Sequence, residues 1–281
     1  MTKRHITGFR PEHHLTQYSP DSARLRAVPL ITELGILLLC CLFLFSCSTA
    51  PTIENIKKAE SLNKRGASFL SNGELNKAFV EFQKALKVNP ENTETLNFLG
   101  YISTRYGKYE EAVSYYRKAV AIDPNYSEAV NNLGIAYAEL EQWDRAVQQF
   151  NTALKDPTYR TPDRAYSNLG FAYYMKGDYR EAEKALKEAL VRNPVSARAM
   201  YVLGLVYIKL DDDDLAIDSL MKAIGMVPDY VDAHWELANI YLRTGDKARA
   251  LKHFEVVAEK GEDAAKVRKA SEHIQDLKYA Y

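Results

Sequence analysis

The chain has 281 residues with 37 basic and 37 acidic side chains, so it has no formal net charge and no global field to draw nucleic acid or an anionic membrane surface. Hydrophobic residues make up 47% and charged residues 26%, the balance of a folded protein rather than a disordered one. All three cysteines, Cys40, Cys41 and Cys47, lie near the N-terminus, which excludes a disulfide framework or a cysteine-ligated zinc site from Ser48 onward.

The N-terminal stretch carries Lys3, Arg4, Arg10, Arg24 and Arg26 among scattered prolines and keeps no helical or strand period. Leu34 to Phe45 follows as an uncharged run of 12 residues. A spanning helix needs roughly 20 apolar residues, whereas a basic region before a short apolar core is the pattern of a secretory signal. Leu44-Phe45-Ser46-Cys47 then resembles the lipobox of bacterial lipoproteins, in which a small residue precedes the cut and a thiol carries the lipid. The resemblance implies a signal peptide over 1–46 and lipidation at Cys47. Acyl chains worth ~0.8 kcal/mol per buried methylene would anchor the chain without a spanning helix. The alternative is an uncleaved anchor from Ala27 to Ser46, interrupted by Pro29 and Glu33. Either reading places the remainder outside the cytoplasm, and Ser48 after the cysteine resembles lipoproteins of the outer membrane. Residues 47–58 are expected to be a flexible tether.

A repeat then takes over. Gly66, Gly100, Gly134, Gly170 and Gly204 are spaced 34, 34, 36 and 34 residues apart, and Ala238 continues the series. Twelve residues beyond each stands an alanine, from Ala78 to Ala250. Four further on comes a large apolar residue: Phe82, Tyr116, Phe150, Leu186, Leu220 and Phe254. Pairs such as Asn89-Pro90, Asp123-Pro124 and Asn193-Pro194 close the units. Apolar spacings of three and four mark amphipathic helices, and Gly107 and Gly177 fall where a helix end wants a left-handed residue. Thr161-Pro162 reads as an N-cap followed by proline at the first helical position.

These marks resemble the tetratricopeptide repeat. The resemblance implies an all-α, right-handed superhelical solenoid with units at 59–92, 93–126, 127–162, 163–196, 197–230 and 231–264. The third unit carries two extra residues around Thr158 to Thr161, expected to lengthen a turn between units. Residues 265–281, with Val267, Ala270, Ile274 and Leu277 on one face, read as a helix capping the last apolar surface.

In such a solenoid the concave face is built largely by the first helix of each unit, whose second, fifth, ninth and twelfth residues are expected to point inward. The fifth positions include Asn97, Asn131, Tyr201 and Trp235; the ninth include Tyr101, Ile135, Phe171, Leu205 and Asn239; the twelfth include Tyr174. This predicts a peptide groove with asparagines, which both donate and accept, in one half and aromatic anchors in the other. The Lys/Asn clamp by which some tetratricopeptide domains grip chaperone carboxylates is missing, since those sites hold Asn63 and Ala67, then Asn97 and Tyr101. Asp211 to Asp214 reads as a solvated turn that caps the next helix. His234, His253 and His273 lack a partner at the spacing of a zinc site. No catalytic motif, cofactor site, metal site, nucleic-acid surface or small-molecule substrate is implied, so the reading is of a protein-binding chain and not an enzyme.

A lipoprotein signal followed by about six such units resembles the type IV pilus pilotins, the PilF/PilW/Tgl family. That resemblance implies a place on the periplasmic face of the outer membrane and secretin subunits as partners. The other reading left open is a periplasmic adaptor for peptidoglycan hydrolases or other envelope assembly factors.

Overall fold

The computed structural model describes residues 51–279. The expected signal peptide and Cys47 lie outside the described residues. Thr52 starts the first helix, its hydroxyl accepting the Asn55 N–H at 3.2 Å, and α1 (Ile53–Ser71) runs on without glycine or proline until Gly66. The outer part of the expected tether is therefore helical from Ile53. Glu54, Ile56, Lys57, Lys58 and Ala59 are acceptable helix residues behind a capping threonine, and nothing in them stops propagation back from Ala59, which is fully buried.

Twelve more helices follow in chain order: α2 (Leu75–Val88), α3 (Thr93–Arg105), α4 (Tyr109–Ile122), α5 (Ser127–Glu139), α6 (Trp143–Ala153), α7 (Pro162–Lys176), α8 (Tyr179–Arg192), α9 (Ala197–Lys209), α10 (Asp213–Met226), α11 (Val231–Arg243), α12 (Lys247–Lys260) and α13 (Ala264–Tyr279). They pack as six hairpins, each of which also packs on the next, and the first helices of units two to five touch one another in series. The chain is an all-α repeat superhelix, and those first helices form its continuous inner wall.

The repeated glycine explains how each hairpin closes. A Cβ built on Gly100 would lie 2.6 Å from Tyr116 Cε1, and one on Gly134 would lie 2.6 Å from Phe150 Cε1. The large residue of the second helix thus rests directly on the backbone of the first. The alanine four residues before it is buried beside the contact, and the next alanines, Ala85, Ala119, Ala153, Ala189 and Ala223, bury against the following unit. Small residues let the axes approach, and apolar burial at about 25 cal/mol per Å² then stabilises the stack.

The hairpin turns use left-handed backbone. Gly107 and Gly177 have φ of 69° and 84°, but the equivalent positions in units three and five hold Glu141 at 56° and Asp211 at 58°. Asp212 caps α10 by accepting the Leu215 N–H at 3.1 Å, and Asp213 takes both Arg243 Nη atoms at 2.7 and 2.9 Å. Thr161 occupies the N-cap of α7 with Pro162 after it, yet its side chain makes no capping bond. Elsewhere four residues join one unit to the next; between Ala153 and Pro162 there are eight, because α6 stops a turn short and the unit carries two extra residues. At the C-terminus Ala270 is fully buried, Ile274 and Leu277 pack on the last core cluster, and Lys266 reaches back to Asp232.

Candidate protein-binding groove

The inner wall of units two to five encloses a concavity of about 890 Å³, roofed at one side by the long connection between α6 and α7. The expected groove residues do not all meet there. Tyr101, Asn131 and Ile135 line it; Tyr101 is exposed, Ile135 half-buried and Asn131 only 6% exposed.

Asn97 sits behind the wall. It is buried, donates to the Tyr126 hydroxyl at 3.1 Å and accepts from Asn132 Nδ2 at 3.0 Å. Asn63 does the same work one unit earlier, accepting from Thr95 Oγ1 at 2.7 Å and donating to Asn92 at 3.3 Å. The expectation of an asparagine-lined half of the groove is therefore corrected: these fifth-position amides are consumed in joining consecutive units. The reason is geometric, since the fifth residue faces the next first helix rather than the groove axis. Asn131 is the exception, for its Oδ1 is buried without a hydrogen-bond partner.

The aromatic half divides in two. Phe171 and Tyr174 form a row with Trp143 and Tyr179, ring centres 6.0–6.5 Å apart, and Tyr201 lies 4.9 Å from Tyr230. Leu205 is half-buried. Trp235 instead packs edge-on against Phe254 at 5.7 Å and beside His273 of α13 at 6.4 Å, while Asn239 Nδ2 donates to the Trp235 carbonyl at 2.9 Å. These two belong to the covered end of the solenoid, because the capping helix lays His273 over the ring.

The concavity is also lined by residues outside the expected set: Arg164 and Arg198 at second positions, Asn132 and Asn168 at sixth positions, and Tyr159 and Arg160 on the long connection. Second positions are expected to point inward, and the sixth lies one helical turn beyond them, so helix spacing alone points to these four. The two connection residues carry no periodic signal.

Burial pushes the Tyr126 phenol up to about 12, with Glu128 adding to it, and burial also raises Tyr174 and Tyr201. Glu236, near these tyrosines, is raised by burial against the opposing charge of Lys266. The groove phenols are thus neutral donors, fit to hold a ligand. Among the described residues no cluster of three or more His, Cys, Asp or Glu could hold a metal, and no helix is long and apolar enough to cross a membrane.

His234 and His253, isolated in the sequence, touch in the folded chain. Their Nδ1 atoms lie 2.8 Å apart, and His234 Nε2 is 2.8 Å from the Pro228 carbonyl oxygen. A carbonyl can only accept, so His234 donates from Nε2; its Nδ1 then accepts from His253 Nδ1.

Two family models described as tetratricopeptide repeat match the chain, one over residues 63–127, 168–224 and 214–265 and the other over 103–158. Among solved structures the fold is similar to PilW, described as a widely conserved type IV pilus biogenesis factor, with a TM-score of 0.70 and 21% identity over 76% of this chain and 98% of that one. It is also similar to pilF of Pseudomonas aeruginosa, with a TM-score of 0.69 and 17% identity over 78% and 99% of the two chains. In sequence, 107 residues are 29% identical to a probable UDP-N-acetylglucosamine–peptide N-acetylglucosaminyltransferase of Arabidopsis thaliana, covering 38% of this chain and 10% of that protein. The chain spans less than a third of the length of the curated relatives it matches.

Proposed function

The chain belongs to the tetratricopeptide repeat family, and from that premise we propose that it is a protein-binding scaffold of the pilotin kind, lipidated at Cys47, which holds secretin subunits along its concave face and promotes their assembly at the outer membrane. The observation that carries this reading is the match of whole architectures. Six hairpins and a cap cover 98% of PilW, described as a type IV pilus biogenesis factor, and 99% of pilF, and they leave almost nothing of either over. The groove supports it: neutral phenols, amides and exposed arginines suit recognition of a polypeptide, and tetratricopeptide surfaces of this kind are interaction surfaces.

The test is in-cell crosslinking of the full chain with mass spectrometry of what co-purifies, alongside Cys47→Ser. Recovery of an outer-membrane secretin, and release of the Cys47→Ser protein from the membrane fraction, are the expected results. Recovery of cell-wall hydrolases without secretin would replace the pilotin reading by that of an adaptor. Unchanged membrane fractionation would remove the lipid anchor.

A further inference from the structure

The concavity between units two and five is lined by three arginines. Arg164 and Arg198 stand at the starts of α7 and α9, and Arg160 projects from the long connection that roofs the space. All three are exposed, and none has a carboxylate within ion-pair distance among the described residues. Arg198 is held in place nonetheless. Its guanidinium lies 5.8 Å above the Phe171 ring and donates to Asn168 Oδ1 at 3.4 Å, which leaves its remaining donors free.

Three carboxylates share the lining, but two are engaged. Asp156 accepts from Ser127 Oγ at 2.7 Å and from the Thr158 N–H and hydroxyl at 2.8 and 2.7 Å; Asp163 accepts from Asn193 Nδ2 at 3.2 Å. Glu128 has no such bond. Asn131 also lines the space, but its Oδ1 is buried beyond the reach of a ligand.

We infer that this concavity binds an extended segment of the partner protein bearing side-chain carboxylates, its acidic groups paired with Arg164, Arg198 and Arg160. Guanidinium forks match carboxylates in two-point geometry, and the amides of Asn132 and Asn168 flank the path of the backbone. The inference rests on the scaffold reading above and names the chemistry of the segment that reading requires. It uses side-chain carboxylates rather than a chain terminus. The formal charges lining the space cancel, so recognition comes from local pairing and not from a long-range field.

The experiment measures fluorescence anisotropy of a short labelled Glu-Ala peptide with an amidated C-terminus against the full chain in detergent. The same peptide with Gln or Lys for Glu serves as the comparison. The Glu peptide is expected to bind, with the Gln and Lys versions much weaker. Arg164→Gln with Arg198→Gln should weaken the Glu peptide by about tenfold, through the loss of two charge-assisted pairs. Glu128→Gln should strengthen it. Circular dichroism checks that the variants, changed at exposed positions, stay folded. Equal binding of Glu and Gln peptides, absence of binding, or affinity unmoved in the arginine variant would overturn the inference. A crosslinked partner found on this face with any of those results would leave the scaffold reading standing and this one refuted.

Discussion

At the scale of single residues, the same type does opposite things according to what stands across from it. Gly134 lets Phe150 Cε1 come within 2.6 Å of where a Cβ would be, whereas Gly225 in α10 has nothing within 4 Å. Gly134→Ala is therefore expected to destabilise by up to about 2 kcal/mol, the overpacking cost of about 1–3 less about 1 gained in helix propensity. Gly225→Ala should instead stabilise by about 0.5–1 kcal/mol. Urea unfolding of both variants checks the pair, and a Gly134→Ala protein stabilised as Gly225→Ala is would contradict the contact. The repeat spacing alone makes Gly134 legible, because its partner recurs 16 residues later in every unit. The asparagines are not legible in that way. Asn97 and Asn131 occupy equivalent positions, yet Asn97 is bonded to Tyr126 and Asn132 while Asn131 Oδ1 is buried without a hydrogen-bond partner. The difference depends on the neighbouring unit, to which the local spacing carries no pointer.

Among the elements, turns and ends show where local sequence decides and where packing overrules it. Gly107 and Gly177 take positive φ at no steric cost, but Glu141 is carried to 56° by the closing of the α5–α6 hairpin. A left-handed L-residue costs about 1–2 kcal/mol, and glycine repays part of that in unfolded-state entropy. Glu141→Gly should accordingly raise stability by up to about 1 kcal/mol, read as a higher Tm. A lower Tm would show that Glu141 contributes something its exposed turn does not reveal. The connection after α6 is the converse case. Its two extra residues are visible in the spacing of Gly134 and Gly170, but that they bring Tyr159 and Arg160 over the concave space follows from the early end of α6. The start of α1 at Ile53 is marked by Thr52, ahead of the point at which the repeat period alone begins the first unit.

For the whole molecule, a solenoid's stability is a sum of units and the contacts between neighbours, so a weakness in one unit acts at one place along the array. The His234–His253 pair ties α11 to α12 in the last unit. His253 is held down at about 4, chiefly by burial, with the neighbouring His234, Lys252 and Arg249 adding to it; Tyr241 stacks on its ring. Its ordinary value is 6.5. The unfolded chain thus takes up the proton first as pH falls. The stability is complete above pH 6.5 and is lost as the pH drops from there toward 4. At 1.36 kcal/mol per unit the loss is about 3 kcal/mol at most, and residual solvent screening brings it nearer to about 2. Urea unfolding followed across that window should show the loss, and hydrogen exchange should find α11 to α13 opening first. His253→Gln should flatten the dependence; an unchanged slope in that variant would assign the acid sensitivity elsewhere.

The sequence by itself determined the repeat: its period, the small residue under each large one, the hairpin turns and the cap. All of these are contacts within a unit or to the next, and such contacts leave a fixed spacing along the chain. Only the tertiary structure decided which inward positions are open. It buried Asn97, covered Trp235 with α13, joined His234 to His253, and gathered Arg160, Arg164 and Arg198 along one concavity. Those outcomes depend on how far the superhelix turns from one unit to the next and on a loop without period, quantities that sum over many residues and that no single interval records.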